Sequence, residues 1–254
     1  MWGAVIERMP SREKLALGLG LGGIIVLSWV YTYWLAVDMR TVGAHHHHHG
    51  EASQLGALFL MWAVMMMAMM LPSALPMVTM YGRLHQGRWP DRSAALPVWL
   101  FVLGYVLAWT VFSGAASILQ LWLERVALVT PPMGILESHA AAGIVLVLAG
   151  TFQLSPLKNA CLTQCRTPLS FLMTAWREGR AGAVTMGLHH GLFCIGCCWA
   201  LMALLFVAGV MNLLWMGAIT VYMALEKIAP GGKAIARWGG VALVVAGLLL
   251  LYRG

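Results

Sequence analysis

Charge is what this sequence has least of. Only 10% of its 254 residues are Asp, Glu, Lys or Arg, while 61% are hydrophobic. A soluble domain carries about a quarter charged residues, so a water-solvated globule is excluded. The chain also lacks an internal repeat, which removes support for a transporter built from duplicated halves. It lacks any basic block interleaved with exposed aromatics, so the net charge of +7 does not point to nucleic acid. Its polar loops are too short to house a catalytic domain. There is no low-complexity tract beyond His45 to His49. The N-terminal apolar segment lacks the small-residue cleavage site of a signal peptide. It ends instead in Tyr31-Thr32-Tyr33-Trp34-Leu35, which reads as the aromatic belt of a retained helix.

What is present is a series of apolar runs. A helix needs about 20 apolar residues to cross a hydrocarbon core of roughly 30 Å. Runs of this kind fall at 15–36, 54–80, 94–121, 139–155, 183–209, 211–228 and 235–252. The expected fold is therefore all-α, a polytopic transmembrane helix bundle of about seven spans. The joint between the fifth and sixth runs carries almost nothing polar, and Asn212 is the residue there suited to cap a helix. Basic residues concentrate on the cytoplasmic side of membrane proteins. With the N-terminus inside, thirteen lie in inner segments and Arg40, Arg125 and Arg253 alone in outer ones. The sequence thus predicts a multi-pass protein of a bacterial inner (cytoplasmic) membrane, N-terminus in the cytoplasm and C-terminus outside.

Chemistry concentrates in the fifth run. At 3.6 residues per turn, His190, Cys194, Cys197 and Cys198 fall on one face, with Met186 starting the stripe and His189 beside it. Polar and ionisable groups at membrane depth are costly and face a bundle interior. Thiolate and imidazole suit Cu(I) or Zn(II), and thioethers add preference for Cu(I). Cysteines also serve as small packing residues, and Gly191 and Gly196 beside them suit a close helix contact. Three cysteines and two histidines within ten residues favour metal or redox chemistry over packing. Copper is the favoured ion and zinc the alternative.

Two further clusters have weaker spacing signals. Cys161 and Cys165 share a face if their stretch is helical, on the side of the membrane where thiols stay reduced. Met65-Met66-Met67-Ala68-Met69-Met70 precedes Pro72 and Pro76. Met65 and Met69 can present thioethers on one face, against a packing role as flexible filler. The two prolines are expected to bend this helix and free carbonyls toward the interior. His45 to His49 reads as an accessory metal collector in the outer loop. Glu226-Lys227 closes the sixth run near the cytoplasmic face. Its carboxylate is expected either solvated at the interface or, if that end packs near the cysteines, supporting their ligands or accepting a proton.

These motifs resemble a bacterial family of predicted metal-binding integral membrane proteins, the domain of unknown function 2182. The resemblance rests on Met-Met-Leu-Pro-Ser at 69–73 and on Gln153-Leu154-Ser155-Pro156-Leu157-Lys158 with Cys161, Cys165 and Arg166. It rests equally on Met186-Gly187, His190-Gly191, Cys194, Cys197-Cys198-Trp199-Ala200-Leu201-Met202, Met211-Asn212-Leu213 and Glu226-Lys227. It implies metal binding by a membrane domain at 54–230. That domain follows an N-terminal segment, first helix and His-rich loop at 1–53, and precedes a last helix at 231–254.

The leading expectation is a metal-handling membrane protein, a copper chaperone, insertion factor or transporter, without catalytic turnover. Its expected partners are the lipid bilayer, the metal ion and a membrane-protein partner or second copy of the chain. Cys194-Ile195-Gly196-Cys197 has the C-x-x-C spacing of a membrane thiol–disulfide oxidoreductase, which is the enzymatic alternative. The third reading is a structural or assembly subunit, offered by the Trp- and Gly-rich packing surfaces.

Overall fold

The computed structural model describes residues 11–41, 51–131 and 133–253. The histidine run 45–49 lies outside them. The described chain is all helical apart from one short hairpin. Helices α1 (Ser11–Thr41), α2 (Glu51–Arg88) and α3 (Ala95–Arg125) come first, then strands β1 (Val129–Thr130) and β2 (Ile135–Leu136), paired antiparallel. Next come α4 (His139–Leu154), α5 (Pro156–Arg166), α6 (Pro168–Ala175), α7 (Gly179–Ala203), α8 (Leu205–Ala208), α9 (Leu213–Ile228) and α10 (Gly232–Arg253).

Among the described residues five helical stretches are long and apolar enough to cross a membrane: 15–38, 52–88, 95–125, 179–208 and 232–253. A sixth arises if α4 and α5, bent by 63° at their junction, form one broken span. This is compatible with a multi-pass membrane protein and falls short of the expected seven spans. The difference lies in two places. The fourth run stops at Ser155, whose side chain caps α5 by accepting from the Lys158 amide while Pro156 opens that helix. Proline at the first helical position starts a new helix readily because its missing N–H would be unpaired there anyway. The sixth run becomes α9, whose 16 residues extend only about 24 Å. Its start matches expectation, since Asn212 Oδ1 accepts from the Trp215 amide at 3.2 Å.

The exterior is apolar, with Val111, Leu214 and Trp238 exposed. Helices with such apolar outer faces associate through close packing at small residues. Two glycine-lined seams do this here. A Cβ at Gly187 of α7 would sit 1.9 Å from the Phe101 carbonyl oxygen of α3, and one at Gly104 would sit 2.1 Å from that of Val184. Between α4 and α10, a Cβ at Gly150 would lie 2.7 Å from Gly240 O and one at Gly247 2.7 Å from Gly143 O. Each helix therefore uses bare backbone where its partner crosses. The first seam seats α7 in the interior, lined by α3, and its buried stripe faces α2, α5 and α9.

Helix α2 runs unbroken through Pro72 and Pro76, and Met65, Met66, Met69 and Met70 are all buried. Near its N-terminal part, Trp62 Nε1 donates to Gln120 Oε1 at 2.7 Å, and Gln120 Nε2 donates to Glu124 at 2.9 Å. This pins α2 to α3 by satisfying three polar groups that bilayer or core would otherwise penalise.

Candidate metal centre

The stripe on α7 forms as the helical period predicts. His190, Cys194, Cys197 and Cys198 are buried, with each cysteine about 1% exposed. His189 is one residue off the stripe and half-buried. The stretch holding Cys161 and Cys165 is helical as α5, and it packs against α7. Cys165 Sγ lies 4.0 Å from Cys197 Sγ, and Cys197 Sγ lies 3.3 Å from Cys198 Sγ. Cys194 lies one turn before Cys197 and Cys198 on α7, and Cys197 Sγ donates to its carbonyl at 3.2 Å. Sulfurs bound to one ion at about 2.3 Å each cannot be more than about 4.6 Å apart, so the Cys165–Cys197 separation of 4.0 Å falls inside coordination reach. The two clusters, distant in sequence, thus belong to one place. Cys161 lies at its edge, half-buried, with its sulfur facing Gly196. A Cβ at Gly196 would come within 2.9 Å of Cys161 Sγ, which is why the helices need a glycine there.

Two other elements reach the thiols, and α2 reaches both of them. From α9, Lys227 Nζ donates to Cys194 Sγ at 3.1 Å and to Ser73 Oγ of α2 at 2.9 Å. From α3, the Tyr105 hydroxyl lies 3.1 Å from Cys194 Sγ and donates to the Met70 carbonyl at 3.3 Å. Ser73 Oγ donates to the same carbonyl at 2.9 Å. The methionine-rich helix therefore touches the centre through Met70 backbone and Ser73. Met65 and Met69 sit buried in the same helix. The motif at 69–73 owes its place at the site to its carbonyl and hydroxyl.

His190 lies one turn before Cys194, packed among rings. Its centroid is 5.4 Å from Tyr105, 6.1 Å from Phe101 and 5.8 Å from Phe171. Its Nδ1 is buried with no hydrogen-bond partner. Buried polar atoms are nearly always paired, so this nitrogen, one turn from Cys194 on α7, is left available to a partner. Phe101 continues a column of rings outward through Tyr81, Trp176 and Trp89, at spacings of 4.8, 5.5 and 6.2 Å.

Glu226 and Lys227 diverge sharply. Lys227 turns to the thiols, while Glu226 turns to the elbow between α4 and α5. There Lys158 Nζ, fully buried, pairs with Glu226 Oε2 at 2.7 Å and also donates to Gln153 Oε1. Gln153 Nε2 donates to Glu226 Oε1 and to the Tyr222 hydroxyl, both at 2.7 Å. Arg166, also from α5, closes the end of α9 by donating to the carbonyls of Glu226, Ala229 and Pro230. The solvated, interfacial reading of Glu226 is corrected: the residue is 1% exposed. The reason is that α5 folds back under the bundle and supplies Lys158 as its counter-charge.

Tyr105 was not singled out in the sequence, and neither Ser73 nor Lys227, though both lie in quoted motifs, was assigned to the thiols. Lys227 carried a further signal, since a lysine closing an apolar run invites a search for a partner. Tyr105 carried none, being an ordinary residue of an apolar helix. All five cysteines are free thiols. Among the described residues no group of three or more His, Cys, Asp or Glu side chains is arranged to hold a metal ion as it stands. The centre is a cluster of sulfurs around a lysine, not a closed polyhedron of ligands.

Residues 59–250 match the family model PpoB2, described as copper chaperone. Neither a curated protein nor a solved structure gives a match. The match bears out the metal-handling content of the resemblance drawn from the motifs, under a different family name. With well over half its length covered, the chain belongs to the PpoB2 copper chaperone family.

Proposed function

We propose that the chain is an inner-membrane chaperone that carries Cu(I) on the thiols of α5 and α7, with no catalytic turnover. The observation that carries this reading is the Lys227 ammonium 3.1 Å from Cys194 Sγ inside a cluster of four thiols. Cu(I) is satisfied by two soft sulfur ligands. Two thiolates and Cu(I) make a complex of charge −1, and Lys227 beside it brings the total to zero. A four-thiolate Zn(II) site would carry −2 and leave an uncompensated charge in a low-dielectric interior, where unpaired charge is most costly. A Zn(II) site of three thiolates and one imidazole would balance Lys227 equally well, so the preference for copper rests on the family match.

The order of burial suggests a route. Cys161 and Cys165 on α5 are partly exposed, while Cys197, Cys198 and Cys194 are buried. Cu(I) exchanges from one thiolate pair to the next without change of oxidation state, each newly engaged thiol releasing a proton and each disengaged thiolate taking one up. His190 Nδ1, Met65 and Met69 are auxiliary soft donors in this scheme, and His189 and His45 to His49 are collectors outside it. A cytoplasmic N-terminus, taken from the basic-residue asymmetry of the expected spans, is part of this reading. The 54–230 core then holds the whole centre, with the first and last helices as flanks.

The test is elemental analysis of detergent-purified protein in which His45 to His49 are replaced by alanine. Near-stoichiometric copper is expected, lost in the Cys194→Ser plus Cys198→Ser variant and reduced in Cys165→Ser. Copper content that ignores these changes would sink the proposal. A reversible two-electron thiol couple in a redox titration of metal-free protein would favour the oxidoreductase reading instead.

A further inference from the structure

At the end of the bundle opposite in α7 to its cysteine turns, a cavity of about 340 Å³ opens between the end of α2, the turn before α3 and the start of α7. One side is apolar and aromatic: Tyr81, Trp89, Leu96, Pro97 and Trp176. The other is cationic: Arg92, Arg177 and Arg180, with Glu178 as the single carboxylate in the lining. All three arginines are exposed, and among the described residues none is ion-paired with a carboxylate. Arg88 adds a fourth guanidinium 4.0 Å above the Trp176 ring. The Nε1 of Trp176 and Nδ1 of His85, on two rings of the wall, are buried without hydrogen-bond partners. Glu178, at the N-cap of α7, makes no side-chain cap hydrogen bond, and Gly179 and Arg180 of the first turn line the same cavity.

An apolar wall with a cationic rim fits an amphiphile with an anionic head. Guanidinium groups bind phosphate through paired, charge-assisted hydrogen bonds. Basic pockets between helices at the cytoplasmic end are suited to phospholipid headgroups. The cavity also sits where three apolar helices, α2, α3 and α7, begin or end, at the level a headgroup occupies. We propose that this cavity binds the phosphate diester of an anionic phospholipid, with Arg92, Arg177 and Arg180 on the phosphate and the Trp89–Trp176 wall against glycerol and upper acyl chain. The site is separate from the thiols and does not depend on the copper reading.

The experiment is native mass spectrometry of the full-length, detergent-purified protein with equal concentrations of phosphatidylglycerol and phosphatidylcholine. One phosphatidylglycerol per chain is expected, in preference to phosphatidylcholine. Each arginine near an anionic lipid surface contributes a factor of about five in affinity, so Arg92→Gln, Arg177→Gln and Arg180→Gln should each weaken retention roughly fivefold. Arg253→Gln, outside the cavity, should retain the lipid. Tryptophan fluorescence and the melting temperature of the same samples monitor folding of the variants. Equal retention of the two lipids, or retention indifferent to all three arginines, overturns the proposal. A third arm adds inorganic phosphate alone. Phosphate bound one per chain, with no preference between the lipids, overturns the lipid as source and leaves a soluble phosphate compound in its place.

Discussion

Replacing Glu226 by glutamine tests whether the buried ion pair positions the lysine that serves the thiols. Glu226 Oε2 accepts from Lys158 Nζ and Oε1 accepts from Gln153 Nε2, both at 2.7 Å. A glutamine offers one acceptor and one donor in the same space. Whichever way its amide is turned, one NH2 group meets another donor, and the Lys158 ammonium, with no exposed surface, loses its counter-charge. Removing one partner of a buried pair costs about 3–5 kcal/mol, most of it the stranded charge. Glu226→Gln and Lys158→Met are each expected to fall in that range. The Lys158→Met, Glu226→Gln double variant strands no charge and should recover to within about 1–2 kcal/mol of the parent. The assay is a double-mutant cycle by reversible denaturant unfolding in detergent, read by tryptophan fluorescence. Lys227 follows Glu226 directly, so copper retention should fall in the single variants and return in the double one. Single changes under about 1 kcal/mol, or a double variant equal to the sum of the singles, would refute the reasoning.

Other expectations address the seams and the centre. Gly187→Ala places a Cβ 1.9 Å from a backbone oxygen of α3 and should destabilise by about 1–3 kcal/mol or more. Gly217→Ala, with open space around it, should leave the melting temperature unchanged or raise it. Trp62→Phe removes a buried donor from Gln120 and should cost about 1–3 kcal/mol in the same unfolding assay. Tyr105→Phe removes the hydroxyl beside Cys194 at a cost of about 1 kcal/mol in stability. Copper loss to a chelator should nevertheless quicken, and an unchanged rate would remove Tyr105 from the centre.

The α7 stripe was legible because helical period alone sets which residues share a face. His190, Cys194, Cys197 and Cys198 came out buried together as a direct result. The cap at Asn212 and the helix holding Cys161 and Cys165 were legible for the same reason: both are local. The α4–α5 bend was not read from sequence, although Ser155-Pro156 marks it, because the apolar run and the polar helix after it looked like span and loop. That bend is what brings Cys165 to Cys197 and Lys158 to Glu226.

By itself, the sequence determined the apolar character of the helices and which sulfur and imidazole groups share a helix face. The scarcity of charge and the length of the apolar runs depend only on composition and order, and so does the offer of sulfur and imidazole on one helix face. The tertiary structure decided which thiols meet, that Lys227 and not Glu226 stands against them, and that Tyr105 and Ser73 complete the contacts. Those pairings join residues up to 154 positions apart. They follow from how bare glycine backbones let helices cross and from where a buried charge finds its partner, and neither is a local property of the chain.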